Sequence, residues 1–512
     1  MGKRKNNKRF LHNYAPNGSE FNNLFIGLEA GNFTMGGGSL TYQSSYNVGI
    51  GPNSLSSITT GYSNTALGSR SLLSNTIGYD NTAIGYCPLY TNISGTYNVA
   101  VGNYSLFQNT TGFSNSAAGY KSLSSNTTGN WCSAYGAESL ISNISGNNNS
   151  AFGYQSLYYN NGNGNSAFGS GTLVSNNSGS NNSAFGFQAL YSNTADSNSA
   201  FGYRALFSNS TGIGNNAFGS EALYSNTTGS FNLGFGDKSL QSNVTGNFNS
   251  AFGFETLKMN HSHKNTAFGY RALTSFTDPG YGDTGSNSAF GFFALYQCTT
   301  GSQNTAVGSA AGSTVTSGIN LTLIGYGAQP SSGSATDEIT LGNNLVSKLR
   351  CNVQGITGLS DARDKKNIKD LSLGLDFLMK VKPREFNWDR RDWYESGNSD
   401  GSKMQKHPTA GFIAQEFDSL QTTEHAEWLN LVLKSNPDKL EATYSNLLPV
   451  VVKAIQELKS ENDQLKSEVE SLKSVKEQLA EIESLKQELT DQINILKAKS
   501  ESTIVKFSSI GD

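Results

Sequence analysis

Ser360 and Lys365 are the residues of this 512-residue chain whose types suit a covalent reaction: a hydroxyl that can attack a carbonyl and an amine that can take its proton. The pairing makes demands. A serine hydroxyl is a weak nucleophile until a base accepts its proton, and a free lysine, with a pKa of about 10.4, is already protonated at neutral pH. Bringing such an amine down to between about 7 and 8 by desolvation costs about 4 kcal/mol. Residues five apart do not share a helix face, where i and i+4 meet, so a turn or a contact between chains must close the gap. Lys366 is the alternative base. Taken alone, a serine and a lysine at this spacing are ordinary solvated neighbours, and only the flanking sequence can argue otherwise.

Three other groupings invite the same question. His261-Ser262-His263 places two imidazoles at i and i+2, facing the same way if the segment is a strand, and imidazole suits iron, nickel or zinc; the competing reading is a polar surface turn. Glu221, Asp237 and Glu255 fall in separate stretches of the chain. A glycosidase needs two carboxylates facing each other, and singly placed ones read as solvated turn residues. His407 is a lone histidine and reads as structural. Cys87, Cys132, Cys298 and Cys351 match no metal spacing and read as buried free thiols made in a reducing compartment.

The elements that must carry these residues divide sharply. Residues 1–359 hold 14 Lys/Arg and 12 Asp/Glu, leaving 22 and 27 for residues 360–512. The long body is thus nearly uncharged, rich in Asn, Ser, Thr and Gly, and must satisfy its own amides by stacking; the charge-dense end is a different kind of structure. Nothing in this balance points to a nucleic-acid groove. No apolar run approaches the roughly 20 residues of a membrane span, and the basic N-terminus MGKRKNNKRF precedes no apolar segment, so no secretory signal is inferred.

A string N-S/T-A-x-G recurs with its glycine at Gly51, Gly68, Gly85, Gly102, Gly119, Gly136, Gly153, Gly169 and onward to Gly269, then again at Gly291, Gly308 and Gly325 after the insert SFTDPGYGDTG. Self-similarity at 17 residues, sometimes 16, is the mark of a solenoid. Each coil reads as two short strands and two turns. Ala two before the glycine faces one way and the residue between them the other. The small residues are therefore expected to fill a narrow roll, while Phe152, Phe168, Phe185, Phe201, Phe218 and Phe252 pack across chains or against a second sheet. The recurrent asparagines are expected in left-handed turns and in amide ladders between coils. Asn92, Asn109, Asn126 and Asn143 also head N-x-S/T sequons, for which the structural reading is preferred to glycosylation. The body resembles the head repeats of trimeric bacterial adhesins, which carry strings like N-S-x-A-I-G on a parallel β-roll of three chains; because these repeats are longer, a triangular β-helix stays open.

Beyond residue 337 the texture changes to DEITLGNNLVSKLRCNVQGITGL, SDARDKKNIKDLSLGLDFLMKVKPREFNW, GFIAQEF and EATYSNLLPVVVKAIQELKSE. These strings resemble the self-cleaving intramolecular chaperones that end phage endosialidases, tail spikes and fibres, and fibre-like proteins of large DNA viruses. The resemblance puts the motif S-D-x-x-x-K on Ser360, Asp361 and Lys365 as catalytic residues. It implies cleavage between Leu359 and Ser360, by a single-turnover serine endopeptidase that removes the chaperone. Leucine commonly precedes the lysine in such proteins; here Asp364 does, a carboxylate that favours the protonated amine. In trimeric phage fibres an H-x-H pair from each chain can supply six imidazoles to one axial metal, which is the form a site at His261 and His263 would take; no other cofactor is implied. Trp388, Phe386 and Trp393 read as core or interface aromatics, and Phe412, Ile413 and Ala414 as a short apolar strand. Ile455, Leu458, Asn462, Leu465, Val469, Leu472 and Leu479 form a heptad seam that shifts phase around Ile482, with Asn462 fixing register.

The expected architecture is therefore a mainly β body, a parallel β-solenoid or β-roll of 17-residue repeats that is trimeric, followed by an α+β chaperone domain and a trimeric coiled coil. The boundaries are a basic attachment tail at 1–22, the repeat body at 23–336, transition strands at 337–359, the chaperone at 360–450, the coiled coil at 451–500 and a C-terminal tail at 501–512. The expected function is that of a viral or phage fibre or adhesin precursor, assembled as a homotrimer in the host cytoplasm and carried on the virion. Its expected partners are a virion protein at the N-terminus and a host surface glycan or receptor, with no nucleic acid and no membrane span. An uncleaved structural virion surface protein and a glycan-degrading tail spike are the alternatives.

Overall fold

The computed structural model describes residues 3–5, 8–14, 22–36, 39–277, 285–346, 348–350, 360–434 and 438–508. The chain forms two compact units, Met1–Arg350 and Cys351–Asp512.

In the first unit the 17-residue period becomes a parallel β-solenoid. Among the described residues, eighteen three-residue strands run from Val48–Ile50 to Ile339–Leu341, giving seventeen turns of the coil. Each strand pairs in parallel with the next, at most rungs Ala on Ala: Ala151 lies against Ala134 on one side and Ala167 on the other. The strand register survives every change of coil length. Ala267 pairs with Ala289 across the insert, just as Ala151 pairs with Ala167 across a shorter coil. Extra or missing residues are absorbed in the turns, because a one-residue slip would send every inward side chain outward.

Only one strand forms per coil, where two were expected. After the glycine the chain passes through turns, and the reason lies in its dihedrals. The second and fourth residues after the glycine are both left-handed, as at Gln155 (φ +55°) and Leu157 (φ +50°), and left-handed residues curl the chain out of any strand. A left-handed leucine costs about 1–2 kcal/mol. Leu72, Leu89, Leu106, Leu123, Leu140 and Leu157 are nevertheless fully buried, and burying a leucine returns about 1.5–3 kcal/mol, so burial offsets the backbone cost. The glycine column is needed for a different reason: Gly153 sits at φ +135°, and a Cβ there would lie 2.5 Å from the carbonyl oxygen of Gly169.

The interior is half polar. Alanines and leucines alternate with two columns of buried asparagine, and each column is a hydrogen-bonded ladder. In the first, Asn81 Nδ2 donates to Asn64 Oδ1 (3.0 Å) and to the Gly95 carbonyl (2.8 Å), while the Asn81 backbone N–H donates to the same Asn64 Oδ1 (3.1 Å). In the second, Asn109, Asn126 and Asn143 link in sequence at 2.8 and 3.0 Å. The amide ladders expected from the sequence thus form, and the sequon asparagines Asn92, Asn109, Asn126 and Asn143 are fully buried within one of them.

The phenylalanines point out of the coil, as the alternation required. They stack on one another, Phe152 to Phe168 at 4.7 Å, Phe168 to Phe185 at 4.6 Å, Phe185 to Phe201 at 4.7 Å and Phe201 to Phe218 at 4.8 Å. Among the described residues of this unit there is a single sheet and no second one for them to pack on. At the N-terminal end, Lys8–Tyr14 pairs antiparallel with Lys3–Lys5 and with Asn23–Ile26, which continues in parallel into Val48–Ile50. Where it is described, the basic segment is therefore sheet, laid on the first rung. A lysine- and arginine-bearing hairpin is a way to close an edge that would otherwise template further strands.

The second unit is α+β. Its core gathers Phe377, Phe417, Ala426, Leu429, Leu431, Val432, Leu447 and Val450. Short strands Arg384–Phe386 and Thr409–Gly411 pair antiparallel, and helix Ala414–Thr423 follows. The apolar strand expected at Phe412 to Ala414 is displaced: the strand ends at Gly411, Phe412 and Ile413 lead out of it, and Ala414 opens the helix, where Phe417 is buried. Helix Leu448–Ser508 then runs for 61 residues, and its seam residues Ile455, Leu458, Leu465, Val469, Leu472, Leu479, Ile482 and Leu485 are all exposed.

Candidate active site

The five-residue gap between Ser360 and Lys365 is closed by a single 3-10 turn, Ala362–Asp364. Asp361 precedes that turn in extended conformation, and its carboxylate accepts the Arg363 backbone N–H at 2.9 Å, the capping geometry that lets a short polar side chain start a helix. The same carboxylate takes the Arg363 guanidinium at 2.6 Å. These hydrogen bonds from Arg363, side chain first and then backbone, hold the Asp361 carboxyl below its ordinary range. The turn folds the chain back so that Lys365 Nζ meets Ser360 Oγ at 2.5 Å and lies 3.4 Å from the Ser360 carbonyl oxygen.

The structure thus brings Ser360 and Lys365 into direct contact within one chain and places Asp361 as the cap of the turn between them. An ammonium that donates to Oγ cannot also accept its proton, so base catalysis needs the neutral amine. In the single chain both residues are exposed. Lys366 and Asp364 are exposed as well. Leu359, the other side of the expected scissile bond, lies outside the described residues, as does Cys351. A groove of this unit, about 840 Å³ and lined by Phe386, Trp388, Phe412 and Tyr444, includes neither member of the pair. His407 is exposed.

The histidine pair is not on a strand. His261 to His263 span the bend before strand Thr266–Phe268, with Ser262 buried between them and its carbonyl accepting from Asn249 and Asn260. His263 Nδ1 accepts the Asn247 backbone N–H at 3.0 Å, taking the ladder place that asparagine fills on other coils. His261 Nδ1 is buried without a partner. Among the described residues no cluster of three His, Cys, Asp or Glu side chains could hold a metal ion.

The body carboxylates differ from their expected solvated character in two cases, Asp237, whose Oδ1 is buried with no hydrogen-bond partner among the described residues, and Glu255. Glu255 is buried and held by Lys258 and Arg271, each at 2.7 Å. The Lys258 hydrogen bond, joined by that of Arg271, keeps its carboxyl below the usual glutamate range although burial acts the other way. Glu221 accepts from Gln241 at 2.7 Å. The signal for Glu255 was available only as spacing: the cations that hold it come three and sixteen residues later. Cys87, Cys132 and Cys298 are buried, and burial pushes the Cys132 thiol up to about 11. Among the described residues no helix is long and apolar enough to cross a membrane.

No curated protein matches the chain. Residues 360–424, a segment that begins at Ser360 itself, match the model of a peptidase family described as chaperone of endosialidase, and the chain therefore carries a domain of that family near its C-terminus.

Proposed function

We propose that the protein is a viral or phage fibre precursor in which the unit from Ser360 onward drives homotrimerisation and folding of the solenoid body and then releases itself by autoproteolysis between Leu359 and Ser360. The observation that carries this reading is the Ser360–Lys365 contact at the first residue of the family match. In the reaction, neutral Lys365 takes the Oγ proton as Oγ bonds to the Leu359 carbonyl carbon. The C–N bond breaks, the Ser360 nitrogen leaves as an amine with the proton returned by Lys365, and water hydrolyses the Leu359 ester to a carboxylate.

Exposure of the pair supports a link between cleavage and assembly. The pair is exposed in the single chain, and further chains that cover it supply the desolvation on which a neutral amine depends. The uncovered seam of helix Leu448–Ser508 supplies the contact that gathers them, three at a time in this reading. A parallel solenoid pairs residues far apart in sequence and is slow to form, so holding the chains together at one end shortens the search. Removal of the chaperone then leaves the assembly kinetically trapped. Residues 1–22 face a virion partner and the body a host glycan or receptor.

The test is the mass of the mature chain. Full-length protein is expected to yield a fragment ending at Leu359 and one beginning at Ser360, while Ser360→Ala and Lys365→Ala each leave a single full-length species. A wild-type oligomer that stays intact would overturn the release step.

A further inference from the structure

Resting on the homotrimer reading above, we propose that the outer face of the solenoid sheet is the surface on which three copies of this chain pack, parallel and rung against rung. The observation is an absence confined to one face. Each of the eighteen rungs presents two outward residues, and none is charged at any rung, from Val48 and Ile50 to Ile339 and Leu341. The described charges of these coils lie in the turns instead, at Arg70, Lys121, Glu138, Arg204, Lys238 and Glu255 among others. A solvated sheet face normally carries charge, so this one is built to be covered.

Its apolar half is open in the single chain. Tyr135, Phe235, Phe268 and Phe290 are exposed, and so are Leu67, Val101, Val307 and Ile324 at either end of the same row. At about 4.8 Å per rung and about 10 Å per three-residue strand, the face measures roughly 80 by 10 Å, or about 800 Å² per chain. The apolar row is about half of it, about 400 Å² per chain, and three such faces together cover about 2,400 Å², the scale of permanent assemblies. Its texture names the occupant. On the ten rungs from Tyr135 to Phe290 the outward apolar residue is a ring, stacked along the axis from Tyr135 to Phe218, so a partner that fills the spaces between them must carry the same repeat, and another copy of this chain does. At some turns a cation reaches the rings, Arg204 over Tyr203 and Phe207 and Arg271 over Tyr270, as none does on the sheet face among the described residues.

The experiment places a thiol on each side of the coil in the full chain, with Ser360→Ala retained so that the long helix stays attached. Ser199→Cys lies on the sheet face and Thr228→Cys on a turn. With a short bis-maleimide, Ser199→Cys is expected to convert most of the protein to covalent dimers and trimers, with Thr228→Cys at the background of the parent chain. Adding Phe185→Glu and Phe201→Glu is expected to abolish the Ser199→Cys cross-link while light scattering still reports a trimer held by the helix. A trimer in which Ser199→Cys stays at background, whether or not Thr228→Cys cross-links, overturns the assignment of this face but leaves the trimer reading standing. A monomeric parent chain overturns both.

Discussion

Asp361 does two things at once: it caps the turn and it binds Arg363, and through that turn it sets where Lys365 lies relative to Ser360. Asp361→Asn keeps a capping oxygen but loses the charge, so slower cleavage with the same fragments is expected. Asp364 is the neighbour that opposes the base. A carboxylate next in sequence to an amine favours its charged form, and exposed charge pairs are worth up to about 1 kcal/mol in general, so Asp364→Leu is expected to quicken cleavage by up to about 5-fold, read from the time course of fragment appearance. In the body, Glu255 has a depressed carboxyl because two cations hold it. A depressed acid contributes stability that is complete above its unfolded value and is lost as pH falls through the folded one. The melting temperature should therefore drop with acidification below the ordinary glutamate range, and Glu255→Gln should flatten that part of the profile while lowering stability at neutral pH.

At the scale of the element, the coil is held by columns rather than by a conventional core. Asn126 donates to Asn109 and to the Gly129 carbonyl and accepts from Asn143; replacing it leaves several buried polar groups unpaired, at about 1–3 kcal/mol each. Asn126→Leu is expected to lower stability by at least about 3 kcal/mol in denaturant titration. Cys132 interrupts the other ladder, its thiol donating to the Gly146 carbonyl at 3.3 Å where an asparagine amide would stand. Cys132→Asn restores the missing rung and should raise stability by about 1 kcal/mol, the net worth of one hydrogen bond. Gly153→Ala should do the reverse, because its Cβ would press on the Gly169 carbonyl and its φ belongs to glycine; a loss of about 3 kcal/mol is expected.

For the whole molecule, the consequence is that the body and its assembly device are stabilised by different physics. The solenoid gains from contacts between successive coils, and the long helix has a seam that one chain cannot cover. Residues 1–359 expressed without the C-terminal unit are accordingly expected to aggregate or to give only a small soluble fraction, and co-expression of residues 360–512 in trans should not recover it, since the benefit comes from tethering. Asn462 lies in the exposed seam. In the Ser360→Ala chain, Asn462→Ile should raise the melting temperature of the helical signal while broadening the distribution of oligomers, because a buried polar residue fixes register at a cost in stability.

Much of this was legible in the residues. The repeat period, the inward alanines, the outward phenylalanines and the stacked asparagines all follow from covalent spacing and side-chain alternation, which are local and survive any change of context, while the module that begins at Ser360 was legible only through the resemblance of its strings to a family. What the tertiary structure decided depends on neighbours a coil away or on dihedrals that composition does not declare. One strand forms per coil because Gln155, Leu157 and their equivalents turn left-handed, a choice that pays only when the next coil buries the leucine. Glu255 is held by two cations because coils stack, and the histidine pair lies in a bend because one imidazole replaces a ladder amide. Ser360 meets Lys365 because a capped 3-10 turn, and not a helix face, joins them. Sequence set the inventory and its period; only folding brought together side chains whose separation along the chain conceals their separation in space.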